Sequence, residues 1–396
     1  MKYKLISGLL FALCMQSISS PAQKLVLLDP AHMVAQKARF KQGNTDVVKA
    51  VNIIIKNADK LLEDKPKSVM DKAFVPPSGS KHDYMSMAPY FWPDPSKPDS
   101  LPYIRKDGQR NPEIKKMTDH TYLTEMADKC KFLSLAYYFT KDEKYAAKAS
   151  KLINVWFIDP ATRMNPNLNY AQAIRGINDG RGIGIIESRC LINLADWMGL
   201  LEGSPSFTDK NLINVKEWYT AYLNWMLTSK NGIDELNAKN NHGTHYDGQV
   251  IAYALFVGKN QLAKKISTES KARIAAQIAP NGEQKLELAR TNALGYSTFN
   301  LEAWATVAML AAKTDVDIWN YTTADGRGLH QAFNWLAPYA LKEKPWNYEQ
   351  ISPYNKNNFY QLLMLASNKY KDSAYITKAK SIQKTDDILI TDLLFN

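Results

Sequence analysis

The feature that most constrains this chain is a helical periodicity that begins early and is never replaced. Apolar residues recur at spacings of three and four in DVVKAVNIIIKNADKLLED (46–64), YLTEMADKCKFLSLAYYFT (122–140) and EKYAAKASKLINVWFI (143–158). The pattern continues in GIIESRCLINLADWMGLL (184–201), NLINVKEWYTAYLNWMLTS (211–229), GQVIAYALFVG (248–258) and STFNLEAWATVAMLAAKT (297–314), and on towards the C-terminus. Strand-like alternation is nearly absent. Several links are only turns: KDEK after Thr140, GKN after Val257, KDSA after Tyr370. Links this short make consecutive helices antiparallel neighbours. Successive hairpins of this kind predict an all-α fold, a single (α/α) toroid: an incomplete barrel of antiparallel helical hairpins around a central cleft. An open solenoid is the alternative, but no fixed-period repeat supports it.

Two long stretches interrupt the rhythm, residues 74–113 and 160–184. Loops of this length in a compact domain usually carry function. The first holds Tyr84, Tyr90, Phe91, Trp92 and Tyr103, aromatic faces that suit sugar rings. Arg105, Arg175 and Arg181 are candidate bidentate partners for carboxylates.

The first residues read as an export leader, with Lys2 and Lys4 before the apolar run Leu5 to Leu13 and small residues near Ser20 and Ala22. The expected organisation is a signal peptide over 1–22 and one catalytic toroid over 23–396, placed in the periplasm or secreted. No later stretch is apolar enough to span a membrane, so none is expected as a partner once the leader is removed. Cys130 and Cys190 both lie within helical patterns and read as separate buried thiols rather than a bridge. The formal net charge is +11. That attracts polyanions, yet no basic run interleaved with aromatics suits a nucleic-acid groove. An acidic polysaccharide is the expected partner. The oligomeric state is not set by the sequence.

The stretch NAKNNHGTHYDG places Asn240, Asn241, His242, His245 and Asp247 just before an apolar helix expected to begin near Thr244 to Gly248. A second helix is expected to begin at Ser297 or Thr298, capped by one of them, with Tyr296 just before it and Arg290 six residues earlier. Both groups then sit at positive helix ends, where anions are favoured. Asn, His, Arg and Tyr suit β-elimination on a uronic acid polymer. An amide, an imidazole and a guanidinium neutralise the uronate carboxylate, which makes the neighbouring C5 proton removable. A phenol then moves protons, provided that Arg290 and the helix end depress its pKa. This chemistry asks for no metal or cofactor. The spacing of His242, His245 and Asp247 is not that of a helical zinc site.

The same residues carry a resemblance. NNH at 240–242, with Arg290 and Tyr296 in ARTNALGYSTFNLEA, resembles the Asn-His, Arg and Tyr set of the helical-toroid alginate lyases and related polyuronate lyases, and MAPYFWPDP (87–95) resembles their aromatic substrate-facing loop. The resemblance covers about 235–310. It implies Asn241, His242 and Arg290 as the groups that neutralise the carboxylate. It implies Tyr296 as acid and either Tyr296 or His242 as base. Arg175, Tyr90, Trp92 and His245 are the candidate substrate-binding residues. Alginate is the first expected substrate and glucuronan the second. Two rivals remain: a toroidal glycoside hydrolase using Asp179 and Glu187 as its carboxylates, and a non-catalytic glycan-binding protein.

Overall fold

The computed structural model describes residues 25–396; the leader expected over 1–22, and Cys14 within it, lie outside the described residues. Several helices start where a short polar side chain takes the place of a missing carbonyl. Asp29 accepts from the backbone of Ala31 and His32 to open α1 (Pro30–Lys41), and Asn44 accepts from Val47 to open α2 (Thr45–Lys60). The KDEK link joins α3 (Asp119–Thr140) to α4 (Glu143–Phe157). Lys141 turns left-handed at φ 61° and ends α3, and Asp142 then accepts from Lys144 to start α4. The KDSA link repeats the device, with Lys371 at φ 56° and Asp372 as the cap.

The chain continues through α5 (Cys190–Gly199), α6 (Asp209–Thr228), α7 (Lys230–Leu236), α8 (Asn241–Phe256), α9 (Asn260–Gln277) and the single turn α10 (Lys285–Leu288). It ends with α11 (Ala293–Ala312), α12 (Leu329–Ala340), α13 (Tyr360–Tyr370), α14 (Ser373–Lys380) and α15 (Asp386–Phe395). Helices α3, α5, α8, α11, α13 and α15 pack in succession, and α15 returns to α1 and α2, which lies on α3. Outside this circuit α4 backs α3, α6 and α9 back α8, α12 backs α11 and α14 backs α13. This is the (α/α) toroid that the periodicity predicts. The inner helices α8 and α11 are buried on nearly every side, as elements clasped between neighbours and an outer layer must be.

Three helix boundaries differ from expectation. The run 184–201 is a 3-10 helix over Gly182–Ser188 followed by α5, and Gly182 and Gly184 pack too closely on Asn231 and Ala171 to admit a Cβ. Helix α8 begins at Asn241, three residues early, once Asn240 accepts from His242 N–H. Helix α11 begins at Ala293, so neither Ser297 nor Thr298 caps it; Thr298 donates instead to the Leu294 carbonyl one turn back.

The two irregular stretches are fastened to each other. Strand β1 (Met85–Met87) and strand β4 (Tyr170–Ala173) pair in parallel, and between them β2 (Phe91–Trp92) pairs antiparallel with β3 (Ile104–Arg105). Met87, Ala88, Tyr103 and Ile174 form a small apolar core of their own. A fully buried ion pair, Lys72 Nζ to Asp119 at 2.9 Å, holds the start of this cover to the first turn of α3. Cys130 and Cys190 are free thiols.

Candidate active site

Gln277, the last residue of α9, sets the alignment of the two inner helices. Its Oε1 accepts from Thr244 at 2.9 Å on α8, and from Trp304 at 3.0 Å and Asn300 at 3.1 Å on α11. Its Nε2 donates to the carbonyl of Asn240 at 2.9 Å. One buried amide thus ties the first turn of α8 to the body of α11. Beneath the two irregular stretches the N-terminal turns of α8 and α11 open on a cleft of about 680 Å³. Asn241, His242, Arg290, Tyr296 and Tyr90 all line it, together with Phe91, Arg181, Glu187 and Arg189.

His242 is the second residue of α8, and its Nδ1 lies 2.9 Å from Oε1 of Glu235, a fully buried carboxylate on α7. That bond fixes the ring and leaves Nε2 as its other polar atom. Asn241 is almost wholly buried. Its backbone N–H donates to Glu287 Oε1 and its Nδ2 to Glu287 Oε2, each at 2.7 Å. Burial pushes the Glu287 carboxyl up, against the pull of these two bonds.

Tyr296 sits within the first turn of α11, not before it, and its hydroxyl donates to that of Tyr90 at 2.8 Å. The Arg290 guanidinium carbon lies 3.7 Å from the centre of the Tyr296 ring. Arg290 is itself gripped by Asp107, with Nε to Oδ2 at 3.0 Å and Nη2 to Oδ1 at 2.7 Å. The expected depression of the Tyr296 pKa is therefore not found. Burial and the bond to Tyr90 push it well above the ordinary phenol value, and Arg290 opposes them only weakly. Gly108 makes the Asp107 contact possible: at φ 71°, a Cβ there would stand 2.4 Å from Thr291 Oγ1.

The remaining expected substrate contacts fall elsewhere. Trp92 donates to the Gln109 carbonyl, and Arg175 bonds the Tyr103 hydroxyl; both serve the cover rather than the cleft wall. His245 is buried on α8 with its ring 4.2 Å from that of Phe299, and it lines a smaller cavity of about 330 Å³ beside the main cleft. Asp247 faces outward to Arg273 at 2.8 Å, so it and the two histidines do not converge. Tyr84 is buried and donates to Glu187 at 2.7 Å, which makes it core. Glu187 faces the cleft, but Asp179 is not among its lining, so the hydrolase pair is not assembled. Sequence reasoning missed Glu235, Glu287, Asp107, Arg189 and Gln277. Only Glu287, three residues before Arg290 on one short helical segment, left a local signal.

The cleft wall is predominantly cationic. Arg181 lies over Phe91 at 5.1 Å, and burial pulls its pKa down to about 10. Arg105, Arg110, Lys115 and Arg189 add further charge. Such a wall concentrates anions and neutralises carboxylates.

The family model described as alginate lyase matches residues 68–346. An alginate lyase from Bacteroides ovatus, solved by crystallography, is 42% identical, with 94% of this chain and 99% of that one covered and a TM-score of 0.90. Alginate lyase A1-III from Sphingomonas species A1 superposes at a TM-score of 0.58 with 15% identity, covering 96% of this chain and 99% of its own. A substituted form of A1-III complexed with a tetrasaccharide gives 0.60 at 14% identity, with the same coverage. At those identities the likeness to A1-III is one of fold. No curated protein sequence matches.

Proposed function

The chain belongs to the alginate lyase family and is a polysaccharide lyase of acidic polysaccharides, and from that premise we propose that it cleaves alginate by β-elimination, with glucuronan as the second candidate. In this reading Asn241 and Arg290 neutralise the uronate carboxylate, which stabilises the charge that develops as the C5 proton leaves. The observation that carries the division of labour is the 2.9 Å bond from His242 to the buried Glu235. With Nδ1–H donating to a carboxylate, Nε2 keeps its lone pair and takes the C5 proton. Tyr296, whose phenol burial keeps protonated, gives its proton to the O4 leaving group. The bond between C4 and O4 breaks, and a C4–C5 double bond forms.

A second reading is favoured by the guanidinium of Arg290 at 3.7 Å from the Tyr296 ring. A cation there stabilises a phenolate, so Tyr296 serves as both base and acid while His242 helps to neutralise the carboxylate. The two readings separate by variant. With His242 as base, His242→Gln loses at least 10²-fold in kcat on every substrate. With Tyr296 as sole base, His242→Gln mainly raises KM.

The test of the function is a panel of alginate, glucuronan and pectate followed by ultraviolet absorbance of the unsaturated product. No absorbance on any of them would overturn it. Tyr296→Phe is expected to lose at least 10³-fold in kcat while binding substrate nearly as well. The leader-like residues 1–22 support export to the periplasm or beyond; N-terminal sequencing of the mature protein tests this.

A further inference from the structure

The proposed function makes Asn241 a donor to the substrate carboxylate, and the inference below rests on that reading. As the side chain stands, it is poorly set for that task. Nδ2 spends one of its hydrogens on Glu287 Oε2, and Glu287 Oε1 is held by the Asn241 backbone N–H. The amide oxygen Oδ1 is buried and has no hydrogen-bond partner. An incoming uronate would meet an unpaired acceptor with a carboxylate behind it, and like charges at this range disfavour one another. A buried orphan acceptor is costly, and a native site normally resolves it.

One proton removes all of these conflicts. We propose that Glu287 is a positioning residue that takes up a proton from solvent when a uronate binds. Its new Oε2–H then donates to Asn241 Oδ1, and the amide turns over so that both Nδ2 hydrogens are directed to the substrate carboxylate. Glu287 Oε1 keeps the backbone N–H of Asn241 throughout, so the start of α8 does not move. The proton returns to solvent when the product leaves. Burial already inclines Glu287 towards the protonated form. The charged and titratable groups that face it are Arg290 on its own segment and His242 across from α8, with Glu235 of α7 bonded to that imidazole.

The test uses Tyr296→Phe as a parent that binds without turnover, and an alginate tetrasaccharide as the probe. Calorimetry in buffers of different ionisation heat counts protons taken up at pH 7 to 8. The parent is expected to take up as much as about one proton, with affinity falling by up to tenfold per pH unit across the window. Adding Glu287→Gln mimics the protonated acid, because its Nε2–H can donate to Oδ1 while its Oε1 accepts from the backbone. Uptake is then expected to fall by the parent's Glu287 share, with affinity at pH 8 above that of the parent. Equal uptake in both proteins, or none in the parent, overturns the proposal. Infrared difference spectra of the parent, with Glu287 untouched, provide a second reading. A protonated-carboxyl band that appears on binding supports the proposal, and its absence overturns it. Asn241→Ala separates the two levels of argument. Unchanged affinity there sinks the role of Asn241 itself, whereas lost affinity with unaltered proton uptake in Glu287→Gln sinks only the inference.

Discussion

Arg290 shows how one side chain can be read correctly by type and incompletely by environment. Its spacing to Tyr296 is visible in the sequence, but its partner Asp107 lies 183 residues away. Arg290→Ala is expected to raise KM and lower kcat together, since it removes a carboxylate partner and leaves Asp107 held only by Arg105 and Thr291; steady-state kinetics on alginate checks this. Gly108→Ala should act on the same pair from the other side, by pushing the cover away from Thr291. A several-fold rise in KM with an unchanged fold is the expected outcome, and wild-type kinetics would refute the link. Glu302, in the smaller cavity, is pushed up to about 7 by burial, with Arg189 pulling the other way. An unfolded Glu titrates near about 4.3. A raised folded pKa helps the folded state at low pH, and that help is lost as pH rises through about 7. Glu302→Gln should therefore stabilise the protein at pH 8 by on the order of 1–3 kcal/mol and do little at pH 4, below the unfolded value. Melting temperatures at the two pH values decide it. His245 lies off the main cleft for a geometric reason. Three residues beyond His242 it stands about 4.5 Å further along the helix axis, where it lines the smaller cavity and packs on Phe299, a residue shared by both cavities.

At the scale of elements, the hairpin turns were legible because their chemistry is local. A left-handed Lys followed by a capping Asp needs only four residues to specify it. Asp142→Ala or Asp372→Ala should each cost about 1 kcal/mol in chemical denaturation, with no change in kcat. The starts of α8 and α11 lie a few residues before the expected ones: Asn240 caps α8 locally, and partners far along the chain hold both first turns as well. Gln350 receives the backbone N–H of Leu294, and Glu287 that of Asn241. Gln277 carries this logic furthest. Gln277→Leu would leave the donors of Thr244 and Trp304 unpaired, at about 1–3 kcal/mol each as an upper range, while Asn300 keeps its bond to Gln284. Stability and kcat should fall together, because the same amide ties together the two helices that bear His242 and Tyr296.

For the whole molecule, the excess of +11 and the cationic cleft act in the same direction. Affinity for a polyuronate is expected to weaken several-fold, roughly, as NaCl rises from 50 to 500 mM, through screening of the steering field. Binding that is indifferent to salt would show that the charged wall does not engage the polymer. The sequence by itself determined that the chain is a succession of antiparallel helices, where the functional stretches lie, and which residue types could do the chemistry. Those properties follow from periodicity, caps and turns, which act over a few residues. Only the tertiary structure decided that Glu235 and Glu287 stand behind His242 and Asn241, that Asp107 and Tyr90 from the cover engage Arg290 and Tyr296, and that Trp92, Arg175 and His245 turn away. Each of those outcomes depends on closure of the ring, which brings side chains from distant segments within bonding distance and sets their charge by burial, and no local pattern encodes either.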